Sequence, residues 1–190
     1  MASELQTQDT SGGMGDELAS LDATAQAELV RRGDLTALEL VDAAIERIER
    51  IDPQLNAVVA PLFEAARAAA SAALPDGPLR GVPFLMKDLG ATQAGQPYWA
   101  GSRALRDLGY RAPHDTYLGR RLRATGLVTV GKGSTPEFGL QSITQPLAFG
   151  PTRNPWDPSL TPGGSSGGSC AAVAAGLVPL AHANDGAGST

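Results

Sequence analysis

The chain has 190 residues, is 42% hydrophobic, and carries 15 Lys+Arg against 20 Asp+Glu for a formal charge of −5. That length suits one sizeable domain, and an acidic balance without a basic stripe argues against nucleic acid as a partner. A single cysteine, Cys170, makes no internal disulfide, and no apolar stretch approaches the roughly 20 residues of a membrane helix, so neither an oxidising compartment nor a membrane is expected and the chain reads as cytoplasmic.

Met1–Ser20 is rich in Ser, Thr, Gly, Gln and Asp, with no basic n-region and no apolar run, and is expected to be a disordered tail (residues 1–20) rather than a secretory signal. Asp22 caps a short helix, Ala23 to Arg32, stopped by Gly33. Thr36 stands three before Glu39, a capping box, and Leu38, Val41, Ala44, Ile45 and Ile48 follow at helical spacing. That predicts an amphipathic helix over 37–51, ended by Asp52-Pro53. Asn56 to Ala60 reads as extended and 62–73 as an Ala-rich helix. Gly81 to Asp88 reads as a buried strand ending in two charges, and 90–113, full of Gly, Pro and small polar residues, as a long loop. Asp115 is the expected cap of a helix running to Thr125, closed by Gly126 and followed by a strand, Leu127 to Val130. Thr135-Pro136-Glu137 reads as a helix start. Residues 141–164 are irregular, an Ala-rich helix follows over 168–175, and a strand is predicted from Leu177 to Ala181. Strands alternating with helices imply an α/β fold with a parallel or mixed sheet.

Three features carry chemistry. Lys87 ends a strand so apolar that both of its faces should be covered; either it reaches the surface or it is desolvated, its pKa lowered toward that of a general base. Gly163-Gly-Ser-Ser-Gly-Gly-Ser169 reads as a linker, as a phosphate cradle before a helix, or as a tight backbone turn that only glycine permits. Ser189 follows Gly186-Ala187-Gly188, either a simple turn or a nucleophile whose neighbouring N–H groups converge as in an oxyanion hole. The usual partner of such a serine is histidine, but His114 reads as exposed or capping and His182 as a core residue. A rival reading is a nucleotide-binding loop at Gly126–Lys132, which lacks the Ser or Thr required at Gly133.

Gly163–Ser189 resembles the signature sequence of the amidase signature family. Gly81-Val-Pro-Phe-Leu-Met-Lys-Asp88 resembles that family's lysine motif, and Gly131–Phe138 and Thr152–Trp156 match further family segments in the same order. The resemblance runs from about residue 21 to the last. It implies an amidase signature fold, a mixed β-sheet flanked by α-helices, and a Ser–cisSer–Lys triad of Lys87 (base), Ser165 (bridge) and Ser189 (nucleophile), 24 positions separating the serines. It places a cis peptide at Gly164–Ser165 and oxyanion donors among Gly186, Ala187 and Gly188, although that stretch departs from the commoner large-residue-Gly-Gly pattern. The implied activity is hydrolysis of a linear or cyclic carboxamide through an acyl-enzyme, with a small-molecule amide as partner, no metal or organic cofactor, and a possible homodimer. Family members are more than twice this length, so the chain is expected to be a truncated N-terminal portion (residues 21–190), inactive or poorly folded by itself. The amidase component of a tRNA-dependent amidotransferase and a catalytically silent fragment are the alternatives.

Overall fold

The structure, a computed structural model, describes residues 14–190. Residues 1–13 of the expected tail lie outside it, whereas Met14–Ala19 form helix α1. The reason is apolar: Leu18 is buried against Leu40 and Ala43, and the Leu18 and Leu21 carbonyls accept the Gln26 amide at 2.9 and 3.2 Å.

Helix α2 (Ala23–Arg32) starts where Asp22 accepts the Ala25 N–H and stops at Gly33, whose φ of 76° is one glycine tolerates freely. Helix α3 (Ala37–Leu55) opens with the Thr36–Glu39 capping box and buries Val41, Ala44, Ile45 and Ile48. It runs past the predicted stop, because Pro53 falls in the last turn, where it deletes only one internal bond. Asn56 then closes the helix in the left-handed region, its N–H reaching the Asp52 carbonyl, while the Asp52 carboxylate accepts the Ala57 N–H at 2.8 Å. Strand β1 (Val58–Pro61) and helix α4 (Phe63–Ser71) follow.

Strand β2 (Pro83–Lys87) is buried at every position, as expected. The predicted loop over 90–113 is folded on itself: Pro97 bridges Arg111, Tyr98 and Ala112 exchange backbone bonds with Tyr110 and Gln96, and Arg103–Asp107 form a short helix, α5. Helix α6 (Tyr117–Ala124) is capped by Thr116, not Asp115; the Asp115 carboxylate instead takes the Ala94 N–H and Arg123. Strand β3 (Val128–Gly133) is longer than predicted and wholly buried. The expected helix at 135–137 shrinks to one 3-10 turn, Glu137–Gly139, since Phe138 and Gly139 take φ of 51° and 70° and cannot propagate a right-handed helix. Helix α7 (Gly167–Ala174) follows the glycine-serine run.

The strands form a mixed sheet in the order β1-β3-β2, with β1 antiparallel and β2 parallel to β3. On one face α3 and α7 bury Val41, Ile45, Ile48, Ala171 and Ala172 against Leu85, Val128 and Val130; Ala27, Val82, Phe84, Met86 and Leu127 fill a second cluster. The strand predicted at 177–181 reduces to a single bridge, Leu85 with Ala181. The Leu177 N–H bonds the Ala172 carbonyl instead, and Pro179 has no N–H. Among the described residues no helix is long and apolar enough to cross a membrane.

Candidate active site

The C-terminal end of β2, the N-terminal end of α7 and the last seven residues of the chain meet at one point. Their approach depends on a missing side chain. A Cβ on Gly168 would lie 2.2 Å from the Ser134 nitrogen and 2.7 Å from the Ala57 carbonyl oxygen, so only glycine lets α7 settle against the end of β3. The Gly168 N–H then bonds the Ser134 carbonyl at 3.1 Å, and the serines preceding α7 sit over the end of β2. The Gly164–Ser165 peptide is cis, where the resemblance places it.

Lys87 has 0% exposure, and its Nζ donates within a closed ring of oxygens. Ser165 Oγ lies at 2.8 Å, Ser166 Oγ at 2.9 Å, Asn184 Oδ1 at 2.7 Å and Ser189 Oγ at 3.3 Å. Ser189 Oγ is in turn 2.9 Å from Ser165 Oγ and 2.7 Å from Ser166 Oγ, and it accepts the Ser165 N–H at 3.0 Å. Burial strips water from the ammonium and pushes the Lys87 pKa down to about 8, against a smaller upward pull from Cys170 and Asp185. A lysine so placed holds an appreciable neutral fraction at neutral pH and can take a proton from a hydroxyl. Lys87, Ser165 and Ser189 are therefore brought together; so is Ser166, whose distances match those of Ser165.

Around Ser189 the chain folds onto the Asp185 carboxylate, which accepts the N–H groups of Ala187 (3.0 Å), Gly188 (2.6 Å) and Thr190 (2.9 Å). The backbone N–H groups of Ser189, Gly188 and Thr190, with a smaller part from Ala187, hold the Asp185 pKa down at about 2. Two of the three expected oxyanion donors, Ala187 and Gly188, thus point at Asp185 in this arrangement.

A different set of buried polar groups lies behind the strand. Asp88 follows Lys87, so the pleat turns it to the opposite face. It accepts the Trp99 N–H at 3.0 Å, and burial still raises its pKa to about 6. Lys132, paired in register with Met86, is fully buried with its pKa lowered to about 8 by burial; among the described residues its Nζ has no hydrogen-bond partner. This burial in β3 also disposes of the nucleotide-loop reading of 126–132. His182, 8% exposed, is held neutral by burial and by the Lys132 and Lys87 charges, with a pKa down to about 4, and its Nδ1 has no partner among the described residues. His114 is exposed. Neither histidine bonds a serine of the site.

Sequence reasoning gave Ser166, Asn184, Asp185 and Asp88 no role at the site, and met Lys132 only in the nucleotide-loop reading. Only the burial of the strand that ends in Lys87-Asp88 hinted at any of them. Cys170, in α7, is partly buried.

The sequence model of the Amidase family matches residues 39–190. The 6-aminohexanoate-cyclic-dimer hydrolase of Pseudomonas sp. (strain NK87) is 51% identical over 168 residues, covering 88% of this chain and 34% of that protein. A glutamyl-tRNA(Gln) amidotransferase subunit of Salinispora arenicola is 45% identical over 180 residues, 91% of this chain and 36% of its own length. The structure of 6-aminohexanoate cyclic dimer hydrolase complexed with substrate superposes with a TM-score of 0.84 at 49% identity, covering 89% of this chain and 34% of that one. The chain spans about a third of the length of these relatives.

Proposed function

Since the chain belongs to the amidase family, we propose that it carries the acyl-transfer machinery of an amide hydrolase, with Ser189 as nucleophile, Ser165 as proton bridge and Lys87 as general base. The observation that carries this reading is the unbroken path from Ser189 Oγ to Ser165 Oγ (2.9 Å) to Lys87 Nζ (2.8 Å), ending on a lysine whose pKa burial lowers to about 8. Neutral Lys87 accepts the Ser165 proton as Ser165 accepts that of Ser189. Ser189 Oγ bonds to the carbonyl carbon, the C–N bond breaks, and the proton returns through Ser165 to the departing amine. Water, deprotonated along the same path, then splits the acyl-enzyme. The steps balance with protein groups alone. Oxyanion stabilisation falls to the N–H groups of Gly186, Ala187 and Gly188, and Ala187 and Gly188 must exchange Asp185 for substrate to serve it.

The substrate class is a small linear or cyclic carboxamide, of the 6-aminohexanoate oligomer kind carried in the name of a relative 51% identical over most of this chain. The activity is that of the whole protein, acting in the cytoplasm and able to dimerise. The 45% identity to an amidotransferase component supports a second reading, amide hydrolysis serving a partner protein. The chemistry is tested with a fluorophosphonate probe. Labelling of Ser189, located by mass spectrometry and lost in Lys87→Ala, supports the reading. Labelling elsewhere, or persistence without Lys87, rejects it. Hydrolysis of 6-aminohexanoate cyclic dimer without added partner proteins separates the first substrate reading from the second.

A further inference from the structure

Asn184 makes the shortest bond to the lysine, and its orientation is not free. Its Nδ2 donates to the Leu89 carbonyl at 2.8 Å, which fixes the amide so that Oδ1 faces Lys87 Nζ at 2.7 Å. The slot is cut to size: a Cβ on Gly90 would stand 2.5 Å from Asn184 Nδ2. An amide oxygen only accepts, so one N–H of Lys87 is always committed to Asn184. The Asn184 backbone carbonyl adds a second constraint, accepting the Ser166 hydroxyl at 3.2 Å. With its own proton turned to that carbonyl, Ser166 Oγ receives a second N–H of Lys87 at 2.9 Å. A neutral amine has two N–H groups and one lone pair. With both N–H groups so used, the lone pair is left for the nearest remaining hydroxyl, Ser165 Oγ at 2.8 Å, ahead of Ser189 Oγ at 3.3 Å.

We propose that Asn184 is a positioning residue which, through its side-chain oxygen and its carbonyl together, aims the lone pair of Lys87 at Ser165 rather than at the geometrically equivalent Ser166. This rests on the triad reading above. It explains how a site with two serines at matching distances selects one as the bridge.

The test is the pH dependence of Ser189 labelling by a fluorophosphonate, in the full-length gene product and in Asn184→Asp and Asn184→Leu. An anion against the ammonium stabilises it, so Asn184→Asp should move the labelling midpoint up by about one unit or more. Loss of the acceptor removes stabilisation of the ammonium, so Asn184→Leu should move the midpoint down and cut the plateau rate about tenfold or more. Opposite shifts of the two midpoints are not produced by a merely structural side chain. Midpoints unchanged in both variants, with full plateau rates, overturn the proposal. Where one variant fails to melt cooperatively the other decides, and loss of the fold in both makes Asn184 structural and also overturns it. Wild-type labelling that misses Ser189 or survives Lys87→Ala is a different failure, that of the triad reading itself, and takes this inference with it.

Discussion

For the proposed nucleophile Ser189, changing pH alone should show whether Lys87 is the base that activates it. With Lys87 at about 8, its neutral fraction is about 9% at pH 7 and about 91% at pH 9. The rate of fluorophosphonate labelling should therefore rise about tenfold between these values and flatten above pH 9. A lysine at its ordinary 10.5 would instead gain about 100-fold over that range without a plateau, and a histidine base near 6.5 would gain less than twofold. The assay is a second-order labelling rate at constant ionic strength, read by intact mass, with Lys87→Ala as the blank. A flat profile from pH 7 to 9, or one still climbing steeply at pH 10, would refute the argument from burial. The same shift has a stability consequence. The folded Lys87 releases its proton near pH 8 and the unfolded one near 10.5, so between them the unfolded state binds more protons and stability rises with pH. Below pH 8 the protein bears the full cost of the buried ammonium, roughly 3 kcal/mol.

Ser165→Ala should slow labelling about 10²–10⁴-fold and Ser166→Ala only about tenfold, as labelling rates would show; equal losses would mean the two hydroxyls share the bridge. Gly168→Ala must push α7 away from the Ser134 and Ala57 backbone, and should cost about 1–3 kcal/mol, a drop of several degrees in Tm by calorimetry, with labelling weakened as well. Asp88 has its folded pKa raised to about 6 from 3.8, so its contribution is full below pH 3.8 and is lost as pH climbs through 6; melts at pH 4 and pH 7 should differ less in Asp88→Asn than in the wild type.

What was legible in the sequence was what local chemistry determines. The Thr36–Glu39 capping box, Asp22 as a cap and Gly33 as a stop all appear as read, because each acts within a few residues. The burial of β2 was legible because a strand with no polar position before Lys87 has no face to give to water. The failures came where distant partners decide. Asp115 has the chemistry of a cap but is claimed by Ala94 and Arg123, leaving Thr116 to begin α6. Residues 177–181 have the composition of a strand, but α7 takes the Leu177 N–H and proline removes another, so one bridge remains. At the site, the family resemblance pointed to Lys87, Ser165 and Ser189, which lie within hydrogen-bond reach of one another. It gave no sign that Asn184 would reach across to the lysine, since that contact needs Leu89 to hold the amide and Gly90 to leave room for it.

A lowered pKa does not by itself identify the base. Lys87 and Lys132 are both fully buried, lie on neighbouring strands, and are both pushed down to about 8. What separates them is the pleat. Lys132 stands in register with Met86, one position before Lys87, and so projects to the other face of the sheet, toward the charge of Asp88. Lys87 projects toward α7, where among the described residues its Nζ bonds three hydroxyls, that of Ser189 among them, and the side-chain and backbone oxygens of Asn184, with Cys170 and Asp185 exerting only a smaller upward pull. An anion near Lys132 favours keeping its proton, whereas the neutral oxygens around Lys87 tolerate either state. The single-residue alternation of a strand thus gives two chemically identical lysines different surroundings, one beside a buried carboxylate and one against the hydroxyls that the proposed proton path requires.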